Sequence, residues 1–299
     1  MALPPTRPNQ PFMSVSALEA GTLHLPGALF LDPAPAEERW ECPALSFLLR
    51  HSTTKDAIVF DLGIPSNLDQ APPMLAKKLA YFRPFRVLPV ADYLQAAGMD
   101  PATIPRVIIS HTHFDHIGDP APFTKATFLL GADGRKRVEY AYPDSLQSEL
   151  LKGFLPADRI EYLDASDGRW APVGPFPAAL DLYGDGSLYI VDAPGHVPGH
   201  INVLARTSTD GGWVYLAGDS AHDLRLLRGE ARIAEWTDPH GSGATYCSHQ
   251  NIATSELHIE RIRELQKDKR VRVLIAHDSG WYHENKGGPA YFPGELQSL

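Results

Sequence analysis

Nine residues, His111-Thr112-His113-Phe114-Asp115-His116-Ile117-Gly118-Asp119, constrain this chain more than any other stretch. They follow directly on Arg106-Val107-Ile108-Ile109-Ser110, a β-branched run entered through Pro105, which reads as a buried strand whose end is a rigid platform. Side chains along an extended segment repeat every two residues, so His111 and His113 point the same way, while Asp115 and His116 lie one step further along the loop. Three imidazoles and two carboxylates packed this closely make two adjacent metal pockets rather than one. A merely solvated polar loop would need no partners elsewhere in the chain.

Partners do occur, each at the end of an apolar run. His196 stands in Asp192-Ala193-Pro194-Gly195-His196-Val197-Pro198-Gly199-His200, where proline and glycine stop the sheet and the turn aims the ring. Asp219 ends Tyr215-Leu216-Ala217-Gly218-Asp219, and His277 ends Val273-Leu274-Ile275-Ala276-His277. Asp61 leaves the run Ala57 to Asp61 just before Gly63, which permits a tight turn.

The HxHxDH arrangement is the signature of the metallo-β-lactamase superfamily, and the sequence resembles that family over nearly its whole length. The resemblance implies an α/β fold, an αββα sandwich of two mixed β-sheets with helices on the outer faces. It implies that His111, His113 and His196 hold one metal ion, that Asp115, His116 and His277 hold a second, and that Asp219 bridges both. Asp61 is expected to support the metal-binding loop, and His200, which opens the next strand, to be a supporting or structural residue. Nitrogen and oxygen donors without thiolate suit two Zn²⁺ ions, with Fe²⁺, Mn²⁺ or Co²⁺ left open. The absence of a cysteine from this set separates the chain from the β-lactamases of the family that place one in the second site.

Within the family, the order HTHFDHIGD, PGHVPGH, GDSAH and IAHD resembles the N-acyl-homoserine lactone lactonases. That implies a dinuclear-metal hydrolase opening a lactone or carboxylic ester of a small molecule by attack of a metal-bridging hydroxide, with Asp115 carrying a proton to the leaving oxygen. The third residue after the bridging Asp departs from the pattern: those lactonases usually carry a substrate-contacting Tyr, and here the position is His222, an imidazole that can also donate to an oxyanion. A second departure is the insertion-like stretch Leu224 to Asn251, with Trp236, His240, Tyr246 and His249. Alternatives are a thioesterase of the glyoxalase II type, although Ser279 to Leu299 offers only Lys286 for gripping carboxylates, and an iron-dependent persulfide dioxygenase or oxidoreductase.

Bulk properties narrow the setting. The net charge of −9 argues against a nucleic-acid partner. Cys42 and Cys247 belong to no CxxC pattern and read as reduced, and no apolar stretch approaches a membrane span, so a cytoplasmic protein is expected. Residues 1–12, rich in proline, are expected to form a flexible, unpaired arm that either lies across a neighbouring subunit, making a homodimer, or moves freely; residues 13–299 are read as a single domain. Strands are expected over Gly21 to Leu25, Phe30-Leu31, Leu45 to Arg50 and Ala57 to Asp61, forming an antiparallel meander. Further strands fall at Thr127 to Leu130, Ile160 to Leu163, Leu188 to Asp192, Ile201 to Ala205, Trp213 to Ala217 and Val271 to Ala276. Helices are expected over Val90 to Ala97, Ser145 to Lys152 and Glu256 to Gln266, the last with Leu257 on its apolar side. Pro65 to Pro89 reads as a long connection that either lids a pocket or packs elsewhere, and Trp170 to Pro177 as a surface loop near a hairpin.

Overall fold

A computed structural model describes residues 2–85, 88–237 and 245–299. The first half carries β1 (Met13–Leu18), β2 (Thr22–Pro26), β3 (Leu31–Asp32), β4 (Arg39–Pro43), β5 (Ser46–His51), β6 (Ala57–Phe60), α1 (Pro73–Phe82), α2 (Val90–Ala96), β7 (Arg106–Ile108), α3 (Phe114–Ile117), β8 (Thr127–Gly131), α4 (Arg135–Glu139) and β9 (Ile160–Leu163). The second half carries β10 (Trp170–Val173), β11 (Phe176–Asp181), β12 (Leu188–Asp192), β13 (Ile201–Arg206), β14 (Trp213–Leu216), α5 (Leu224–Arg228), β15 (Arg232–Ile233), β16 (Glu235–Thr237), β17 (Thr245–Cys247), α6 (Ile252–Leu265), β18 (Val271–Leu274) and α7 (Ser279–Asn285).

Two six-stranded sheets result, ordered β1-β5-β6-β7-β8-β9 and β10-β11-β12-β13-β14-β18. Both are mixed. β1, β5 and β6 pair antiparallel while β6 to β9 run parallel, and β14 pairs parallel with β18 after an antiparallel series. Residues from both sheets, among them Phe47, Phe60, Ile190 and Val214, share one buried core between the layers. A second core lies between the first sheet and α2, and a third between the second sheet and the helices α5 and α6. The αββα sandwich is therefore present, its three apolar layers following from strands that bury both faces.

The parallel pairs matter most for the site. β6 beside β7 brings the chain after Phe60 next to the chain after Ile108, with Asp61 N donating to Ile108 O at 2.9 Å. β14 beside β18 does the same for Asp219 and His277, through Ala276 N to Gly218 O at 3.0 Å. Ile201 N donates to Ser110 O at 2.9 Å, tying the two sheets together at that edge.

Several expectations need correcting. β2 and β3 are not part of the meander: β2 pairs with β4 and β3 with β15, and β1 takes the place beside β5. Ser145 to Lys152 is not a helix, since Ser148 Oγ accepts from Leu150 N at 3.1 Å and Tyr142 bridges Leu151, giving the backbone partners that a helix would need. Trp170 to Pro177 is a hairpin, β10 with β11, in which Pro172 sits on the edge strand at a register shift between Ala171 and Val173. Leu257 is 60% exposed, and His258 occupies the buried stripe of α6 with Ser255, Ile259, Ile262 and Leu265.

Residues 2–12 are not unpaired. Pro4 O accepts from the buried Arg206 at 2.9 Å, Gln10 Nε2 donates to Asp185 O at 2.9 Å, and Phe12 N donates to Ser52 Oγ at 3.0 Å. The Pro65 to Pro89 connection contains α1, whose Phe82 packs against Phe30 and Phe114. Cys42 and Cys247 are both free, and no helix among the described residues is long and apolar enough to cross a membrane.

Candidate metal centre

The site is built at one edge of both sheets, where five strands end. His111 follows β7, and His113 is the extended residue that starts α3, so the short helix turns Asp115 and His116 inward. The helix stops at Gly118, whose φ of +42° and approach to Leu62 leave no room for a side chain: a Cβ there would lie 2.2 Å from Leu62 O. His196 comes from the loop after β12, Asp219 from the end of β14 and His277 from the end of β18.

The donor atoms form two groups. In the first, His111 Nε2 lies 2.8 Å from His113 Nδ1 and 3.2 Å from His196 Nε2, and His196 Nε2 lies 3.0 Å from His113 Nδ1. Asp219 Oδ2 lies 3.6 Å from His111 Nε2 and 3.5 Å from His196 Nε2. In the second, Asp219 Oδ1 lies 3.3 Å from both His116 Nε2 and His277 Nε2, while Asp115 Oδ2 lies 3.6 Å from His277 Nε2 and 3.9 Å from His116 Nε2. Asp219 thus turns one oxygen to each group.

The other ring nitrogens are held from behind. His116 Nδ1 lies 2.8 Å from Asp61 Oδ2, His277 Nδ1 lies 2.8 Å from Pro43 O, and Asp61 also accepts from Ser110 N and Ser110 Oγ, each at 2.7 Å. Asp61 therefore sits where it was expected, and Ser110, to which no role was given, joins it. His200 accepts from Asp219 N at 3.1 Å and lies 3.0 Å from Ala193 O, so it positions the Asp219 backbone.

Electrostatics separate the rings. Burial, reinforced by neighbouring cationic groups, holds His111, His113 and His196 well below the ordinary imidazole range, so their nitrogens are available as donors. Burial opposes charge on His116 and His277 too, but the Asp219 carboxylate, with Asp61 and Asp115 beside His116, lifts both well above that range. For Asp219, burial is outweighed by His116, His277 and His222, which hold its carboxyl well below the usual value.

A divalent ion fits this arrangement. Three ring nitrogens about 3 Å apart exceed what hydrogen bonding among neutral imidazoles can satisfy, while nitrogens bound tetrahedrally to one zinc ion at about 2.0–2.1 Å stand about 3.3 Å apart. His116 Nε2 and Asp219 Oδ1 face each other, buried and, among the described residues, without a hydrogen-bond partner.

Two further imidazoles border the cluster. His222 Nε2 is 3.3 Å from Asp219 Oδ2, its ring stacks on His277 at 5.7 Å and 12°, and the Phe30 ring centre lies 4.6 Å from its own. His249 has ring centres of His196 and His222 at 5.1 and 5.0 Å. The sequence marked His249 within an insertion-like stretch expected to reshape the mouth of the site; its exact place depends on how that loop docks, which no local spacing encodes. His240 of the same stretch lies outside the described residues.

Comparison with known proteins bears on the family and the fold. The sequence pattern of the Metallo-beta-lactamase superfamily matches residues 39–271, which takes in every candidate ligand except His277. The Gamma-lactamase FDB1 of Fusarium pseudograminearum is 32% identical over 222 residues, covering 71% of this chain and 52% of that protein, so the chain spans about half the length of this relative. The N-acyl homoserine lactonase AttM of Azorhizobium caulinodans is 28% identical over 67% of each chain. A crystal structure of a quorum-quenching N-acyl homoserine lactone lactonase superposes with a TM-score of 0.66 over 98% of this chain and 100% of that one, at 18% identity. With a family pattern that covers most of its length and a two-sheet sandwich, the chain belongs to the metallo-beta-lactamase superfamily.

Proposed function

We propose that this chain is a dinuclear-metal hydrolase that opens a lactone or carboxylic ester of a small molecule. The observation that carries the reading is Asp219, whose two oxygens stand 3.3–3.6 Å from two separate sets of imidazole nitrogens. His111, His113 and His196 would hold one ion, Asp115, His116 and His277 the other, and Asp219 both. Bound there, two Zn²⁺ ions, or Fe²⁺, Mn²⁺ or Co²⁺ in their place, would lower the pKa of a shared water and polarise the substrate carbonyl.

The chain's own residues supply the rest. Asp115, 7% exposed at the edge of the second donor group, takes the proton of the attacking water and returns it to the leaving oxygen. His222 donates to the carbonyl oxygen as negative charge develops there. Phe30 and Phe82 keep water off that side.

The test is a hydrolysis panel on protein of known metal content, pairing γ- and δ-lactones, acyl-homoserine lactones, simple esters and a γ-lactam with S-lactoylglutathione. Turnover of lactones or esters that scales with two ions per chain is the expected result. Turnover of S-lactoylglutathione alone, or oxygen uptake by air-free purified protein without hydrolysis, overturns it.

A further inference from the structure

We propose that His249 is a second imidazole donor to the substrate oxygen, acting beside His222, and that Ser255 positions it by fixing its tautomer. This rests on the hydrolase reading above.

His249 is 2% exposed, and among the described residues its Nε2 has no hydrogen-bond partner. Its donor atom and those of His196 and His222 all lie within 4.8 Å of one another. His249 is nevertheless not one of the rings gathered on Asp219. The Nε2 atoms of the candidate ligands His111, His116, His196 and His277 all lie 3.3–3.6 Å from an Asp219 oxygen, and His249 makes no such approach. It stands outside the ligand ring, flanking the first donor group.

Its other nitrogen settles which way it is protonated. His249 Nδ1 lies 3.0 Å from Ser255 Oγ, and among the described residues that hydroxyl has no other hydrogen-bond partner. With the hydroxyl donating to Nδ1, the single proton of the neutral ring sits on Nε2. A buried N–H without an acceptor is unfavourable in the resting protein and becomes matched when a substrate oxygen enters. With His222 it gives two donors converging beside the first metal group, which is what a developing oxyanion requires.

The placement is built into the chain. Gln250 N donates to His196 O at 2.8 Å and Asn251 N to Gly195 O at 2.9 Å, so the segment carrying His249 is clamped to the loop carrying His196. Gly195, at φ +132°, allows the approach: a Cβ there would lie 2.4 Å from Ser255 Oγ. Asn251 then caps α6, accepting from Thr254 N at 3.0 Å, and Ser255 follows in its first turn.

The experiment compares His249→Phe and His249→Gln, then Ser255→Ala and Ser255→Thr, for kcat, KM, metal content and inhibition by an alkylboronic acid, whose tetrahedral form carries the oxyanion. His249→Phe should lower kcat about 100- to 1000-fold with two ions per chain retained, and weaken the boronic acid in parallel. His249→Gln, which restores an N–H donor, should recover at least about tenfold of that loss. Ser255→Ala should lower kcat with little change in KM, and Ser255→Thr should restore it, which a merely structural serine would not do; this pair decides the matter where His249→Phe fails to fold. Unchanged kcat in His249→Phe, or loss of a metal ion, overturns the proposal. A wild type that hydrolyses no ester or lactone defeats the hydrolase reading and this inference with it, whereas an active wild type with unaffected variants defeats the inference alone.

Discussion

Oδ2 of Asp61 lies 2.8 Å from Nδ1 of His116, and both residues are 1% exposed. Asp61 reaches this position with a φ of +59°, on the chain between β6 and the loop that packs on Gly118. With Nδ1 donating to this carboxylate, the Nε2 lone pair would be free for a metal ion in the second donor group. Asp61→Asn should therefore keep the fold but weaken the second metal ion about 10- to 100-fold, read by competition with a chromophoric chelator. Unchanged affinity would mean that the ring needs no such support.

Asp219 touches both donor groups, whereas His277 touches only the second. His277→Ala should lower metal content from two ions towards one per chain, and Asp219→Asn should loosen both while greatly reducing hydrolysis. Removing metal with a chelator should also lower the unfolding temperature, because ions that bind only the folded chain stabilise it by mass action. Elemental analysis beside calorimetry checks both points, and full hydrolysis in a metal-depleted variant would overturn the mechanism.

His222 packs against Phe30 and His277, with Nε2 3.3 Å from Asp219 Oδ2. His222→Phe should slow turnover about 100- to 1000-fold while both ions stay bound. Loss of a metal ion instead would make His222 a ligand, and unchanged turnover would make it a bystander. Steady-state kinetics and metal analysis on one preparation separate the three outcomes.

What the sequence disclosed, and what it hid, divides along physical lines. The HxHxDH loop, Asp219 and His277 were legible because each follows an apolar strand whose end is fixed by its own pairing, and parallel neighbours bring those ends together. The sandwich followed from the same strands. Pro172 misled because an edge strand tolerates proline at a bulge, and Ser148 misled because its hydroxyl competes for backbone amides. The exact place of His249 could not be read, since it comes from backbone bonds between two loops more than 50 residues apart in sequence.

His258 gives a pH dependence with a definite sign. The Asn202 amide oxygen accepts from Tyr215 OH at 2.8 Å, Ser220 Oγ at 2.7 Å and His258 Nε2 at 3.2 Å, while its nitrogen donates to Ile201 O and Ala217 O. Burial pushes the His258 ring down to about 3, from 6.5 in an unfolded chain. Between those values the unfolded state binds a proton that the folded state refuses, so this contribution is fully present above pH 6.5 and is lost as the pH falls toward 3. Asp192 acts the other way, because burial and Asp133 raise it to about 6 and acid relieves it. Comparing wild type with His258→Phe cancels the Asp192 contribution. Urea unfolding in chelator at several pH values should show wild type losing stability relative to the variant by about 1.4 kcal/mol per pH unit below 6.5. Parallel stability curves for the two proteins would mean that His258 is protonated inside the fold, and that the Asn202 cluster does not hold it neutral.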